Sequence, residues 1–241
     1  MNRTALLLAA ALTVSLPLSA TAQSISKVNG AVEVAAGQTI DDISTVNGAV
    51  SVAANAIVKG DVTVVNGAIQ IADGARVGDV SAVNGGVSAG ARLTASDVST
   101  VNGAIHLGTG ARISKDVSSV NGEILLQSGS SIGGDVSTVN GAIGLIGTRV
   151  SGNVESVNGN MTVGVNSVVN GDIIYQAPKG ISFSFNNKRR VPTVMIGPRA
   201  QVKGNLRFER EVKLYVHSTA KVGKITGATA VAYSTDRAPT P

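Results

Sequence analysis

Hydrophobic positions in this chain recur in fixed columns rather than on one face of a helix. On a regular spacing of 18 or 19 residues the tripeptide Val-Asn-Gly stands eight times, with its Asn at Asn29, Asn47, Asn66, Asn84, Asn102, Asn121, Asn140 and Asn158. Three positions before each Val stands an apolar residue: Ile25, Ile43, Val62, Val80, Val98, Val117, Val136 and Val154. Three positions after each Asn comes Val32, Val50, Ile69, Val87, Ile105, Ile124, Ile143 or Met161, and two further on Val34, Val52, Ile71, Ala89, Leu107, Leu126, Leu145 or Val163. A late column holds Ile57, Val77, Leu93, Ile113, Ile132, Val150 and Val168.

A period this short is too small for a helical hairpin repeat, and β-branched residues between Gly-containing breaks read as strand-turn-strand. Three short strands and three corners fit one period, at ~3.3 Å per strand residue. The fold class expected is therefore all-β, a single-stranded parallel β-helix with rungs of 18–19 residues. One rung cannot bury its apolar side alone, whereas a stack makes a continuous core. The corner reappears as Val168-Val169-Asn170-Gly171-Asp172-Ile173, then around Leu206 and Ile225, so the first column has eleven members from Ile25 to Ile225. Eleven rungs at ~4.8 Å make a rod about 50 Å long. The expected division is a leader over 1–22, regular rungs over 23–175, an insertion over 176–198, final rungs over 199–227 and a tail over 228–241.

The pattern leaves one column open. Strict alternation from Val98 sends Thr100 inward, Val101 outward and Asn102 inward. A bend after Ser99-Thr100 instead returns the Val inward and leaves Asn at the corner. We expect the bend, because exposed apolar stripes are uncommon on soluble proteins; an exposed Val stripe would be an association surface.

Composition supports a thin core: aromatic residues are 2%, Trp is absent and Gly numbers 29. With no Cys, disulfides and thiolate metal sites are excluded. Asn2-Arg3, the apolar run Ala5 to Leu18 and Ala20-Thr21-Ala22 have the form of a secretory signal peptide cleaved near Ala22. A periplasmic or secreted chain is expected, with no transmembrane segment.

The repeated Asn-Gly pairs suit sharp corners by tolerating positive φ, and stacked Asn amides can bond up the column. The eight Asn are thus expected to form a structural corner ladder rather than a ligand array. A second column, Asp42, Asp61, Asp79, Asp97, Asp116 and Asp135, reads as Asx-type corners, each Asp capping its own turn. One Asp per rung supplies too few oxygens for Ca²⁺. His106 and His217 stand far apart with no partner evident in the sequence, charges sit in single columns, and no phosphate loop opens a helix. No catalytic residues, metal or cofactor are assigned, and the chain is expected not to be an enzyme. The Ser/Thr column Ser44, Thr63, Ser81, Ser99, Ser118 and Ser137 raises the alternative of an ice-binding face.

Charge divides the chain. Ser24 to Asp172 holds seven Lys/Arg against twelve Asp/Glu, a balance of −5, and Ile173 to Pro241 holds twelve against three, a balance of +9. The insertion carries Phe183, Phe185, Lys188, Arg189 and Arg190, which read as a partner-binding stretch for an anionic envelope glycan or lipid, or for the acidic part of another copy. Nucleic acid is not an expected partner of an exported chain.

The segments Ala75-Arg76-Val77-Gly78-Asp79-Val80 and Ile132-Gly133-Gly134-Asp135-Val136 resemble the bactofilins, a polymer-forming cytoskeletal family. The resemblance covers the rungs, roughly Gln23 to Thr226, and implies a right-handed β-helix that assembles without nucleotide and scaffolds cell-wall enzymes. The absence of an unbroken hexapeptide rhythm agrees with the right-handed form. Two features depart from that family: the leader, where the typical member is cytoplasmic, and the uniformity of Val-Asn-Gly. The expected function is accordingly a non-enzymatic envelope scaffold, self-associating through the solenoid ends. The alternatives are a surface-binding module for glycan or ice, or a polysaccharide-active enzyme.

Overall fold

A computed structural model describes residues 23–177 and 191–235, and its regular structure is entirely strand. The chain winds as a parallel β-solenoid. Eleven strands from Ile25–Asn29 to Ile225–Thr226 stack into one sheet, and eleven from Val32–Val34 to Ala230–Tyr233 into a second. The third face begins with Thr39–Ile40 paired to Ile57–Val58 and continues as seven strands from Thr94–Ala95 to Lys221–Val222. Single bridges from Ile57 to Arg76 and from Arg76 to Thr94 join the two parts. The first-sheet register pairs Ile25 with Ile43 and carries the same column through to Ile225. Among the described residues no helix is long and apolar enough to cross a membrane.

Alternation explains the core. In Val98–Asn102 the side chains of Val98 and Thr100 are buried; in Ile105–Leu107, Ile105 and Leu107 are buried with His106 outward. The late column is shifted from its expected members at three rungs. Ile57 and Val168 point outward while Val58 and Val169 fill the core, and Ala95 rather than Leu93 holds the column beside Ile113. Leu93 occupies the neighbouring buried position, where other rungs have Ala75, Ala111 or Ser130. Large beside small in that rung replaces small beside large in the next, which keeps the filled volume nearly constant.

Rung length varies only at corners. Between the third and first sheets the corner has two residues in Gly78-Asp79 and Ser96-Asp97, but three in Lys59-Gly60-Asp61 and Ser114-Lys115-Asp116. The turn from second to third sheet keeps one left-handed position in nearly every rung: Gly37, Asn55, Gly74, Arg92, Gly110, Gly129, Gly147, Asn166 and Arg199, with φ between 53° and 76°. Arg92 and Arg199 adopt a conformation that a Cβ disfavours. Their identity hides this column from a sequence search for Gly.

Two domain limits move. Thr193–Ile196 is a full member of the second sheet, Val194 pairing with Met161, so the insertion is shorter than 176–198. Ala230–Tyr233 pairs with Lys213–His217, so part of the expected tail is the last strand of the coil. Tyr175 and Phe208 take the inward position that Thr100 or Ser119 holds elsewhere.

Candidate association surface

The outer face of the first sheet is the most regular surface of the molecule. Six consecutive strands, Ile43–Asn47, Val62–Asn66, Val80–Asn84, Val98–Asn102, Val117–Asn121 and Val136–Asn140, contain no charged residue. Ser or Thr at the second position and Val at the fourth point outward. Val101, Val120 and Val139 are each 40% exposed and Val28 67%. The expected bend is therefore absent: backbone alternation persists through the Val, because the inward place one residue earlier is taken by Thr45, Val64, Ala82, Thr100, Ser119 or Thr138. The Val stripe is exposed.

The inward hydroxyls stitch this face to the corner of the preceding rung. Thr100 donates to the Gly85 carbonyl at 2.9 Å, Ser119 to that of Gly103 at 3.2 Å and Thr138 to that of Gly122 at 3.1 Å. Tyr175 Oη donates to the Gly159 carbonyl from the same column. Burial raises the Tyr175 phenol above its ordinary value, with hydrogen bonding and the Arg210 charge opposing.

Each Asn sits at the corner, where strict alternation alone would have turned it inward. All are exposed except the half-buried Asn158. Their amides form one continuous ladder: every Nδ2 from Asn47 to Asn158 donates to the Oδ1 of the Asn one rung earlier, at 2.9–3.0 Å. Arg210 closes it, its Nη1 lying 2.6 Å from Asn158 Oδ1 and 3.0 Å from the Val157 carbonyl, with the guanidinium 5.9 Å from the Tyr175 ring centroid. The structural ladder is as expected, but its conformational reason is not. None of these Asn has positive φ, and of the eight glycines only Gly30, Gly67 and Gly159 do. The common requirement is close approach: a Cβ on Gly48, Gly67, Gly85, Gly103, Gly122, Gly141 or Gly159 would collide with the carbonyl oxygen of the corner Gly one rung before.

The Asp column forms a second ladder, and it differs from the expected self-capping. Four of its carboxylates reach to the next rung: Asp42 Oδ1 accepts the Asp61 N–H at 3.1 Å, Asp61 that of Asp79 at 3.0 Å, Asp116 that of Asp135 at 2.7 Å and Asp135 that of Asn153 at 2.6 Å. Asn153 then serves Asp172, and Asp172 serves Asn205. A Cβ on Gly60, Gly134 or Gly152 would strike the oxygen that makes this bond. Asp97 lies mid-column; burial first, then the Asp79 and Asp116 charges, raise its carboxyl above the ordinary value.

Both histidines have partners the sequence did not reveal. Exposed His106 Nε2 lies 2.7 Å from Glu123 Oε1, and buried His217 accepts the Thr219 N–H at 3.1 Å and stands edge-on to Tyr233. Among the described residues no three His, Cys, Asp or Glu side chains gather as metal ligands. Phe183, Phe185, Lys188, Arg189 and Arg190 lie outside the described residues. Comparison with protein-family models, with curated proteins and with solved structures finds no match for this chain.

Proposed function

We propose that this chain is an exported, non-enzymatic structural rod of the cell envelope that associates with copies of itself, in the manner its resemblance to bactofilins implies. The observation that carries the reading is the charge-free Val–Asn face repeated over six rungs. An apolar stripe of constant spacing on an otherwise charged protein gains from being covered, and a second copy offers a stripe of the same pitch. Among the described residues the end rungs have no further strand paired to their outer edges, which supplies a second mode, since an unpaired strand edge templates further pairing. The opposite charge of the two parts favours head-to-tail contact of copies, a contact that salt weakens.

Analytical ultracentrifugation of the chain at several concentrations, at low and high salt, tests this. Concentration-dependent assembly is expected, and Val83→Lys/Val101→Lys/Val120→Lys should lower it without unfolding an already exposed face. A single monomer at all concentrations would overturn the assembly reading. Fractionation of cells should recover the chain outside the cytoplasm. A second reading, a module binding glycan or ice, is favoured by the flatness of the same Ser/Thr and Val columns; thermal hysteresis of the monomer would support it.

A further inference from the structure

The third sheet presents the opposite kind of surface. Its outward column runs Arg76, Thr94, Arg112, Ser131, Arg149, each paired in register with the next, and is bounded by Ile57 and Val168. An Arg thus falls on every second rung, ~9.6 Å apart at two strand separations, with a hydroxyl residue between. All three Arg are exposed, and among the described residues none of their guanidinium groups takes part in an ion pair or hydrogen bond. A shallow groove beside Arg112 is lined by Thr94, Ser96, Ser114 and Ser131. Of the seven Lys and Arg between Ser24 and Asp172, six (Lys59, Arg76, Arg92, Arg112, Lys115 and Arg149) lie on this sheet or its corners, although that part of the chain is acidic.

We propose that this face binds a linear acidic polysaccharide lying along the rod axis, with one carboxylate at each of Arg76, Arg112 and Arg149. The assignment names a partner for the envelope rod and rests on that reading. A guanidinium fork matches a carboxylate with two parallel hydrogen bonds, and Thr94 and Ser131 offer hydroxyls to the sugars between. Charge density separates this ligand from nucleic acid, whose strand carries a phosphate every ~3.4 Å of axis and would leave most phosphates unmatched. A lipid surface is disfavoured by shape, because Asp79, Asp97, Asp116 and Asp135 run along the corner of the same face and a broad anionic plane would press against them. A narrow chain lying along the Arg column presents no such plane to those carboxylates.

Fluorescence anisotropy with a labelled hyaluronan octasaccharide, which carries one carboxylate per disaccharide, tests the site. Saturable binding that weakens with salt is expected. Arg76→Gln/Arg112→Gln/Arg149→Gln should weaken it at least about tenfold, whereas Lys27→Gln/Lys213→Gln/Lys224→Gln, which removes as many charges elsewhere, should not. Four results would overturn the proposal: no binding, equal loss in both triple variants, equal affinity for a carboxyl-reduced octasaccharide, or stronger competition by single-stranded DNA or anionic phospholipid vesicles. Ultracentrifugation and fractionation of the Arg triple variant separate the two ideas. Lost glycan binding with assembly and location retained tests this site alone, while a cytoplasmic wild-type chain would sink the envelope reading even if it binds.

Discussion

Replacing Gly103 by Ala isolates what the Asn-Gly corner demands. Gly103 has ordinary φ, so a purely conformational account predicts a tolerated or even favourable change. The geometry predicts otherwise. The new methyl would overlap the Gly85 carbonyl and lie 2.7 Å from the Gly86 nitrogen, all backbone atoms held by their own ladder. Relief requires the rungs to part by about an ångström at a spacing of ~4.8 Å. That strains the bonds from Gly85 N–H to the Asn102 carbonyl at 3.0 Å and from Val87 N–H to the Ala104 carbonyl at 2.9 Å. Two weakened backbone bonds at about 1 kcal/mol each, with overpacking of about 1–3 kcal/mol, place the cost at about 3–5 kcal/mol. Gly37→Ala is the control: its φ is +69° and nothing lies within 4 Å of the added Cβ, so only the left-handed penalty of about 1–2 kcal/mol applies. Urea unfolding of both variants, with hydrogen exchange at the Gly85 and Val87 amides, measures the difference. Because stacked repeats unfold locally as well as globally, the exchange data are needed beside the midpoint. Gly103→Ala costing no more than Gly37→Ala would refute the close-approach account.

Arg92→Gly should stabilise by up to about 1 kcal/mol, because Arg92 holds a left-handed φ of 57° that Gly37, Gly74 and Gly110 hold without penalty; a lowered urea midpoint would count against it. Asp97→Asn should also stabilise at neutral pH, by a few tenths of a kcal/mol, since Asn153 already performs the same acceptor role in that column. The raised carboxyl of Asp97 means the folded state binds its proton more readily than the unfolded one. Its unfavourable contribution is therefore full above the folded value and fades as pH falls through the carboxylate range, and thermal melts between neutral and acid pH should show that component vanish in the variant.

How much of this was legible in the residues varies by position. The eleven-rung count followed from the column Ile25 to Ile225, because identical spacing forces identical register, and the stacked Asn amides followed from eight copies of one residue. The Val orientation did not follow. Both patterns leave one hydrophobic residue in the same place, and the deciding fact is that Thr100 and its equivalents are satisfied inside by a Gly carbonyl one rung away. The rung-to-rung reach of Asp61 and Asp135 was invisible for the same reason, being a relation between residues 18 or 19 apart. Leu93 misled because it belongs to a column of Ala and Ser and is compensated by Ala95. The Arg76, Arg112 and Arg149 alignment was hidden by the variable corner lengths, which put these residues 36 and 37 positions apart while keeping them on one line.

The Asn ladder has a direction. Every amide donates toward the first rung, so eight side-chain dipoles point the same way along the axis and sum as peptide units do in a helix. The column ends in an N–H donor at Asn29 and an oxygen at Asn158, and Arg210 places its cation against the oxygen end. The guanidinium is thus the counter-charge of a macrodipole made of side chains, as a lysine is at a helix C-terminus, and it gives the rod an electrostatic polarity independent of its net charge.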